Sequence, residues 1–288
     1  ERDTGVSWRR SLVASRSAAS HRSRTHLKDL SHAATIALVR NHTKDFCMRL
    51  VTWNCNTSPQ ITRPDSAASA FTAKYTTIFK SIPSPDVIVC QEIARPASTS
   101  THQHVWYGPL LSRGICVSVA EQYRIESHYD ESVSRSIVPV TIHGPNSFHL
   151  LGVWSIPHKP SMRNYVREVY DGIRKYQHLL TSGPCVVIGD FNSNARWDGD
   201  TGALNHTRLV QMLETEFGLI SSYHTKCVVA QGEESEYTFY RYRQQTQGFH
   251  IDYCFIPRTW TINDVQIGSF ENWYTHSDHC PLIVDLSL

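Results

Sequence analysis

Polar side chains stand at the ends of five apolar, strand-like segments of this 288-residue chain. The segments read TWNCN, VIVCQE, VVIGDFN, HIDYCF and SDHCPLIV. Their polar residues are Asn54, Asn56, Glu92, Asp190, Asn192, Asp252, Asp278 and His279. A carboxylate embedded in an apolar segment is unfavourable unless it is paired or liganded. One such residue has a bland explanation, but five clusters predict strand ends that converge on a single site.

The segment VVIGDFNSN by itself allows two interpretations. Glycine, aspartate and asparagine are common in turns, because they tolerate left-handed backbone or bond to it locally. Asp190 and Asn192 are also two residues apart on an extended segment, so their side chains lie on the same side. Together with the other four motifs the site interpretation is favoured, and the turn remains one component of it.

The residue types at these strand ends fit a hard divalent cation. Glu92, Asp278, Asn54 and Asn56 offer oxygen ligands, which suit magnesium (Mg²⁺) or manganese (Mn²⁺) better than zinc. The eight cysteines form no C-x-x-C pair, and several lie in apolar runs. We expect them to be small buried side chains rather than disulfides or zinc ligands.

A histidine and two acids predict the chemistry of phosphate ester hydrolysis. An aspartate such as Asp252 beside His279 would fix the imidazole tautomer and favour its protonated form, which can hold phosphoryl oxygens. Asp190 could orient or deprotonate water, and Asn192 could donate to the same transition state.

The motifs TWNCN, CQE, GDFNSN, HIDYCF and SDHCPL, in this order, resemble the endonuclease/exonuclease/phosphatase superfamily of deoxyribonuclease I and apurinic endonucleases. The resemblance covers nearly all of residues 48–288 and is strongest to a bacterial subgroup of small stand-alone proteins. It implies an α/β fold, a four-layer α/β/β/α sandwich with two packed mixed β-sheets and the active site at one end.

The resemblance also implies a metal-binding half of the site. Glu92 is the expected principal metal ligand, with Asn54 close to metal and phosphate and Asp278 beside the metal. Many apurinic endonucleases have an acid where Asn56 stands, so the metal site here is expected to carry less negative charge.

The other half of the implied site acts on water and phosphate. Asp190 is expected to position or activate the nucleophile and Asn192 to stabilise the transition state. His279 is expected to contact the scissile phosphate, oriented by Asp252.

The strand FHLLGVW ends at Trp154, where relatives often place a Tyr or His that contacts phosphate. Since an indole has one donor and no acceptor, this role is lost or passes to Ser155, His158 or Tyr165. Further residues are candidates for contacts with the substrate. They are Asn56, Trp154, Asn194, Trp197, Arg241 and Arg243. For YTFYRYRQQ, an amphipathic strand with a solvated face competes with base stacking, and His224 is expected to be a surface or packing residue.

Charge and periodicity divide the chain into two parts. Residues 1–46 hold nine Lys/Arg against four acids, whereas the remainder holds 19 basic and 22 acidic residues. We expect residues 1–47 to be a basic, poorly ordered extension. It could be a targeting peptide, an arm that binds nucleic acid, or a remnant of upstream sequence. The last interpretation is favoured, with Met48 as the natural start. A single catalytic domain is expected over residues 48–288, with one helix within 164–180 and another, ended by Gly218, after Asn205 or Thr207.

The expected function is metal-dependent hydrolysis of phosphoester bonds, with nucleic acid as substrate. The alternative is a phosphatase or phosphodiesterase for a small-molecule or lipid phosphate ester, although the motifs W-x-G-D-x-N-x-R and P-x-W-x-D-R of inositol-phosphate members are missing. A non-catalytic binding module is disfavoured because all the acids are retained. No apolar run approaches the roughly 18 residues of a membrane span, so we expect no membrane association. We also expect a cytoplasmic location and a monomer.

Overall fold

The computed structural model of the chain describes residues 47–157 and 161–288. The predicted basic extension, apart from Cys47, lies outside the described residues, as does His158. In the described part, no helix combines the length and the apolar character that crossing a membrane requires.

Six strands form the first β-sheet, sheet A. They are β1 (Cys47–Asn54), β2 (Val87–Ile93), β3 (His104–Leu110), β4 (Arg113–Val119), β13 (Thr261–Ile267) and β14 (Leu282–Ser287). Their order is β13-β14-β1-β2-β4-β3. Only β1 and β2 are parallel neighbours, so the sheet is mixed.

Six further strands form sheet B. They are β5 (Arg124–Ser127), β6 (Ile137–His143), β7 (Phe148–Trp154), β8 (Cys185–Asp190), β9 (Leu219–Ser221) and β12 (Asp252–Pro257). Their order is β5-β6-β7-β8-β12-β9, with β7 and β8 parallel. A short antiparallel pair, β10 (Phe239–Tyr240) and β11 (Gly248–Phe249), lies between β9 and β12 in the sequence.

Helices occupy the connections between strands. They are α1 (Pro64–Ser81), α2 (Met162–Lys175), α3 (Gln177–Ser182), α4 (Asp198–Thr201), α5 (His206–Phe217), α6 (Ser222–Cys227) and α7 (Phe270–Trp273). The limits of α5 follow from its sequence: Asn205 Oδ1 accepts the Arg208 N–H at 2.9 Å, and Gly218 ends the helix at a φ of 65°. Both are the capping roles that these residue types favour.

Apolar side chains fill three layers, which confirms the predicted four-layer sandwich. Because side chains alternate along a strand, Leu50 packs between the sheets whereas Val51 packs under α1. Ile188 and Val187 divide in the same way, with Val187 packed against α2 and α5. All eight cysteines are free, and all except Cys47 and Cys227 are buried.

Two local predictions differ from the structure, and one helix was not predicted. The helix predicted within 164–180 is two helices, α2 and α3, separated at Tyr176. The strand expected for EYTFYRYR stops after two residues, and a 3₁₀ turn follows at Arg241–Arg243 with Tyr242 at a φ of 56°. Helix α1 was not predicted, although Pro64 is at a helix start, where a missing N–H is harmless.

Candidate active site

Strand ends from both sheets meet at one end of the sandwich. Asn54 and Glu92 end the parallel strands β1 and β2, while Asp252 begins β12 directly opposite Asp190 at the end of β8. The amide Nδ2 of Asn54 donates to Asp190 Oδ2 at 3.0 Å, which joins sheet A to sheet B. The polar residues of separate motifs are therefore close in space, as the sequence predicted.

Asp190 is held rigidly at the centre of this site. Asn192 donates to it twice, from its backbone N–H at 2.8 Å and from Nδ2 at 3.0 Å. The carboxyl group is fully buried, and burial together with the charge of Asp252 raises its pKa to about 7, against the effect of these bonds. A carboxyl with this pKa can accept a proton near neutral pH.

The glycine of the GDFN motif is required by the neighbouring strand. Gly189 has a φ of 145°, and a Cβ on it would lie 2.0 Å from the backbone oxygen of Val153 on β7. A larger residue would push β8 away from β7 and displace the adjacent Asp190. This glycine therefore places the carboxylate rather than simply making a turn.

Several site residues have positive φ values. They are Asn56, Glu92 and Asn192, at 43°, 46° and 48°. The pairing of β2 with β4 shifts register between Cys90 and Ile93, so Glu92 lies in a bulge that redirects its side chain. Asparagine tolerates this backbone region, but glutamate rarely adopts it, and such outliers concentrate at functional sites.

His279 and Asp252 form a buried pair. Nδ1 of His279 is 2.8 Å from Oδ2 of Asp252, and the ring of Phe239 packs 4.8 Å from the imidazole. Burial lowers the pKa of His279, but the charge and hydrogen bond of Asp252 outweigh it and raise that pKa to about 10. The ring is therefore cationic at neutral pH, with Nε2–H as the second donor.

Asp278 is joined to Glu92 through two intervening side chains. Asn56 Nδ2 donates to Asp278 Oδ1 at 2.8 Å, and Arg113 NH2 donates to Asn56 Oδ1 at 3.2 Å. Arg113 also pairs with Glu92, NH1 to Oε2 at 2.7 Å. Sequence analysis missed Arg113, because a lone arginine at a strand start carries no signal of its own.

The donors present fit a divalent cation bound by oxygen. Glu92 and Asp278 are only partly buried, and Asn54 adds an amide. The described residues contain one group of three His, Cys, Asp or Glu side chains with ligand atoms within 4.8 Å, namely Asp190, Asp252 and His279. Since Asp252 and His279 already bond each other, the partly exposed carboxylates Glu92 and Asp278 are better suited to a divalent cation.

The backbone of Trp154 lies beside the site, but its side chain is buried in the interior. It pairs with Asp190 across β7 and β8 and is 5% exposed. Tyr165, at the start of α2, has a hydroxyl that senses the site: burial raises its pKa, and the charges of Asp190 and Glu92 raise it further. Ser155 instead donates its hydroxyl to the Tyr165 carbonyl at 2.8 Å.

Two further predicted substrate contacts, Asn194 and Trp197, interact with residues other than Asp190. Asn194 is buried, and its amide donates to Glu234, to the His250 carbonyl and to the Tyr253 hydroxyl. Trp197 is half-buried and packs on Phe249 with ring centroids 5.0 Å apart. Substrate contact by the Asn194 amide would require these internal bonds to break.

Arg241 and Arg243 lie in the 3₁₀ turn after β10, and both are exposed. The Arg241 guanidinium bonds to the hydroxyl of Tyr242, the next residue, and stacks 4.9 Å from its ring. Because the backbone of Tyr240 donates to the Asp278 carbonyl, this turn is tied to the rim of the site.

Two mixed sheets with flanking helices, and carboxylates, amides and a histidine at one end, define an α/β sandwich phosphoesterase. Residues 51–279 match the Endonuclease/Exonuclease/phosphatase family, and the chain belongs to this family. It is therefore a phosphoric ester hydrolase, and the predicted superfamily is confirmed.

A solved structure shares this fold. The crystal structure of the AP endonuclease LMAP from Leishmania major matches with a TM-score of 0.62 and 12% sequence identity, covering 87% of this chain and 90% of that chain. At this identity the likeness shows the fold alone. Comparison with curated proteins finds no match.

Proposed function

We propose that this chain is a divalent-metal-dependent phosphodiesterase that hydrolyses nucleic acid by attack of water. The observation that carries the proposal is the bond from Asn54 to Asp190 across the two sheets, with the His279–Asp252 pair on the neighbouring strand. A proton acceptor, a cationic donor and oxygen ligands around one point would support this reaction. Each of these three functions accelerates hydrolysis of a phosphodiester.

Each residue has a role that follows from its bonds. Asp190, fixed by Asn54 and Asn192, would orient water and accept its proton. His279, protonated through Asp252, would donate Nε2–H to a phosphoryl oxygen and stabilise the charge that develops there.

Glu92, Asn54 and Asp278 would hold the ion. When bound, it would neutralise charge on the phosphoryl group.

Nucleic acid is favoured by a cleft next to the site. A cavity of about 290 Å³ is lined by Arg95, Tyr107, Tyr129 and Trp154, and by Arg135 paired with Glu131 at 3.3 Å. Arg95 follows Glu92 by three residues, and the rings of Tyr107 and Tyr129 stack at 3.9 Å. Aromatic faces next to arginines suit bases that alternate with phosphates. The AP endonuclease with the same fold is consistent with such a substrate.

A small-molecule or lipid phosphate ester is the second candidate. Residues 47–288 hold more acids than bases, 22 against 19, whereas non-specific duplex binding draws on many Lys and Arg contacts. A substrate with one phosphate would not need such contacts.

An activity panel tests the proposal. Plasmid DNA, abasic duplex, single strands, RNA and small phosphate esters are each incubated with Mg²⁺ or Mn²⁺ and with EDTA. We expect metal-dependent cleavage of at least one nucleic acid, reduced more than about 100-fold by Glu92→Gln and His279→Asn. The matched controls are Glu126→Gln and His143→Asn, an exposed pair at the opposite end of sheet B.

The outcomes separate the candidates. Cleavage of the small esters alone would establish the second candidate. Equal activity of wild type and both site variants would contradict the assigned residues.

A further inference from the structure

Arg113 lies beside Glu92 and was not among the site residues predicted from the sequence. It is the first residue of β4, and its side chain is 28% exposed. Its NH1 is 2.7 Å from Glu92 Oε2, and its Nε and NH2 donate at 3.2 Å to the Thr57 carbonyl and to Asn56 Oδ1. Three anchors on two chain segments hold the guanidinium in one orientation.

These bonds involve only one of the two carboxylate oxygens of Glu92. Oε2 faces the guanidinium, whereas Oε1 is 3.4 Å from Asn54 Nδ2, a weak contact at the limit of a hydrogen bond. Asn56 completes the connection, because its amide accepts from Arg113 and donates to Asp278. An aspartate at position 56 could not donate to Asp278, so this link requires the asparagine.

An arginine is charged at every accessible pH, so the site contains a permanent cation. A positive charge in contact with a ligand carboxylate opposes the binding of a second cation there. We propose that Arg113 is a positioning residue that holds Glu92 through Oε2, leaves Oε1 for a divalent ion, and weakens the affinity of the site for that ion. This inference rests on the metal-dependent chemistry proposed above.

Ion binding by the protein without substrate tests the inference. Mn²⁺ is titrated into metal-free wild type and variants, and free Mn²⁺ is counted by electron paramagnetic resonance. We expect Arg113→Met, which removes the charge and keeps the length, to bind Mn²⁺ at least about tenfold more tightly. Arg113→Lys, which keeps the charge, should remain within about threefold of wild type.

A control separates a local from a general charge effect. Arg124 is exposed and is also the first residue of a strand, β5, but it pairs with His143 at the opposite end of sheet B. Arg124→Met makes the same change in net charge and should shift Mn²⁺ affinity by less than about twofold. Adding Glu92→Gln to Arg113→Met should abolish the gain in affinity. Circular dichroism and melting curves establish that each variant is folded.

Several results would overturn the inference. They are unchanged or weaker Mn²⁺ binding by Arg113→Met, equal tightening by Arg113→Lys or Arg124→Met, and a gain that survives Glu92→Gln. Because the titration contains no substrate, its result does not depend on whether nucleic acid is hydrolysed. Tighter binding by Arg113→Met, together with a wild type that cleaves no nucleic acid, would support the inference and count against the proposed function.

Discussion

Two buried histidine–carboxylate pairs in this molecule have nearly the same geometry. His279 Nδ1 lies 2.8 Å from Asp252 Oδ2, and His224 Nε2 lies 2.9 Å from Glu234 Oε1. Both carboxylate side chains are 1% exposed. Distance and burial alone therefore do not separate the candidate catalytic pair from the other one.

The surroundings of the two pairs differ. Glu234 Oε1 also accepts from the Gly232 N–H at 2.8 Å and from Asn194 at 3.2 Å, and His224 Nδ1 bonds the Ser221 hydroxyl at 2.7 Å. Burial raises the pKa of Glu234, but these bonds outweigh it and lower that pKa to about 2. This closed network leaves the pair no open atom for a substrate and suits a structural role.

The His279–Asp252 pair, by contrast, keeps atoms that can bind another group. Asp252 Oδ1 is buried without a hydrogen-bond partner among the described residues, and His279 uses Nδ1 on Asp252, which leaves Nε2. A buried polar atom without a partner is rare and points to a bound group. Of the two pairs, the one next to Asp190 therefore has an unsatisfied atom of its own, although His250 Nε2 beside His224 is also buried without a partner among the described residues.

The largest expected difference between the pairs is in catalysis. We expect His279→Asn to lower kcat/KM by about 10³-fold or more, because the cationic donor to the phosphoryl oxygen is lost. His224→Asn should change kcat/KM per folded molecule by less than about twofold. Steady-state assays on the best substrate, corrected for the folded fraction, measure both. Similar losses in the two variants would remove the distinction.

The reverse difference is expected in stability. Glu234→Gln should lower the free energy of unfolding by about 3 kcal/mol, because the bonds that a buried carboxylate accepts from Gly232 and Asn194 and shares with His224 are weakened. The activity of the folded fraction should be unchanged. Urea unfolding followed by tryptophan fluorescence measures the change, and a loss below about 1 kcal/mol would show that the network contributes little.

The two pairs should also respond to opposite ends of the pH scale. The pKa of His279 is raised from 6.5 to about 10, so its stabilisation is complete below about pH 6.5 and is lost as pH rises to about 10. The pKa of Glu234 is lowered from 4.5 to about 2, so its stabilisation is present above about pH 4.5 and is lost towards pH 2. Melting temperatures across pH should lose the alkaline slope in Asp252→Asn and the acid slope in Glu234→Gln.

The pH dependence of kcat/KM should reflect only the His279–Asp252 pair and the neighbouring Asp190. Because burial and Asp252 raise the pKa of Asp190 to about 7, kcat/KM should rise as pH increases through about 7, and it should fall as His279 loses its proton near 10. Asp252→Asn should move the alkaline limb to lower pH. A profile unchanged by this substitution would contradict the coupling of the two residues.

The smallest expected effect concerns Tyr165. Its hydroxyl is near the charges of Asp190 and Glu92, so Tyr165→Phe should lower kcat/KM by less than about tenfold through loss of one phosphate contact. Tyr170→Phe on the same helix is the control, since Tyr170 instead contacts Arg174. An effect as large as that of His279→Asn would make Tyr165 a principal residue of the site.

The sequence by itself determined the layers and predicted most of the residues that meet at the candidate site. Apolar strands such as β8 and β12, each ending in a carboxylate, predict a buried sheet and a polar end, because residue type and period of two are local properties. The capping of α5 by Asn205 and Gly218 is local in the same sense.

Only the tertiary structure decided which of these side chains have partners. Arg113 meets Glu92 through the pairing of β2 with β4, and Asn194 turns to Glu234, 40 residues away. Likewise, the YTFYRYR segment leaves the strand geometry that its alternation predicts, as β10 joins only β11 and the rim of the site. Contacts between distant segments depend on register and burial, which no local pattern encodes.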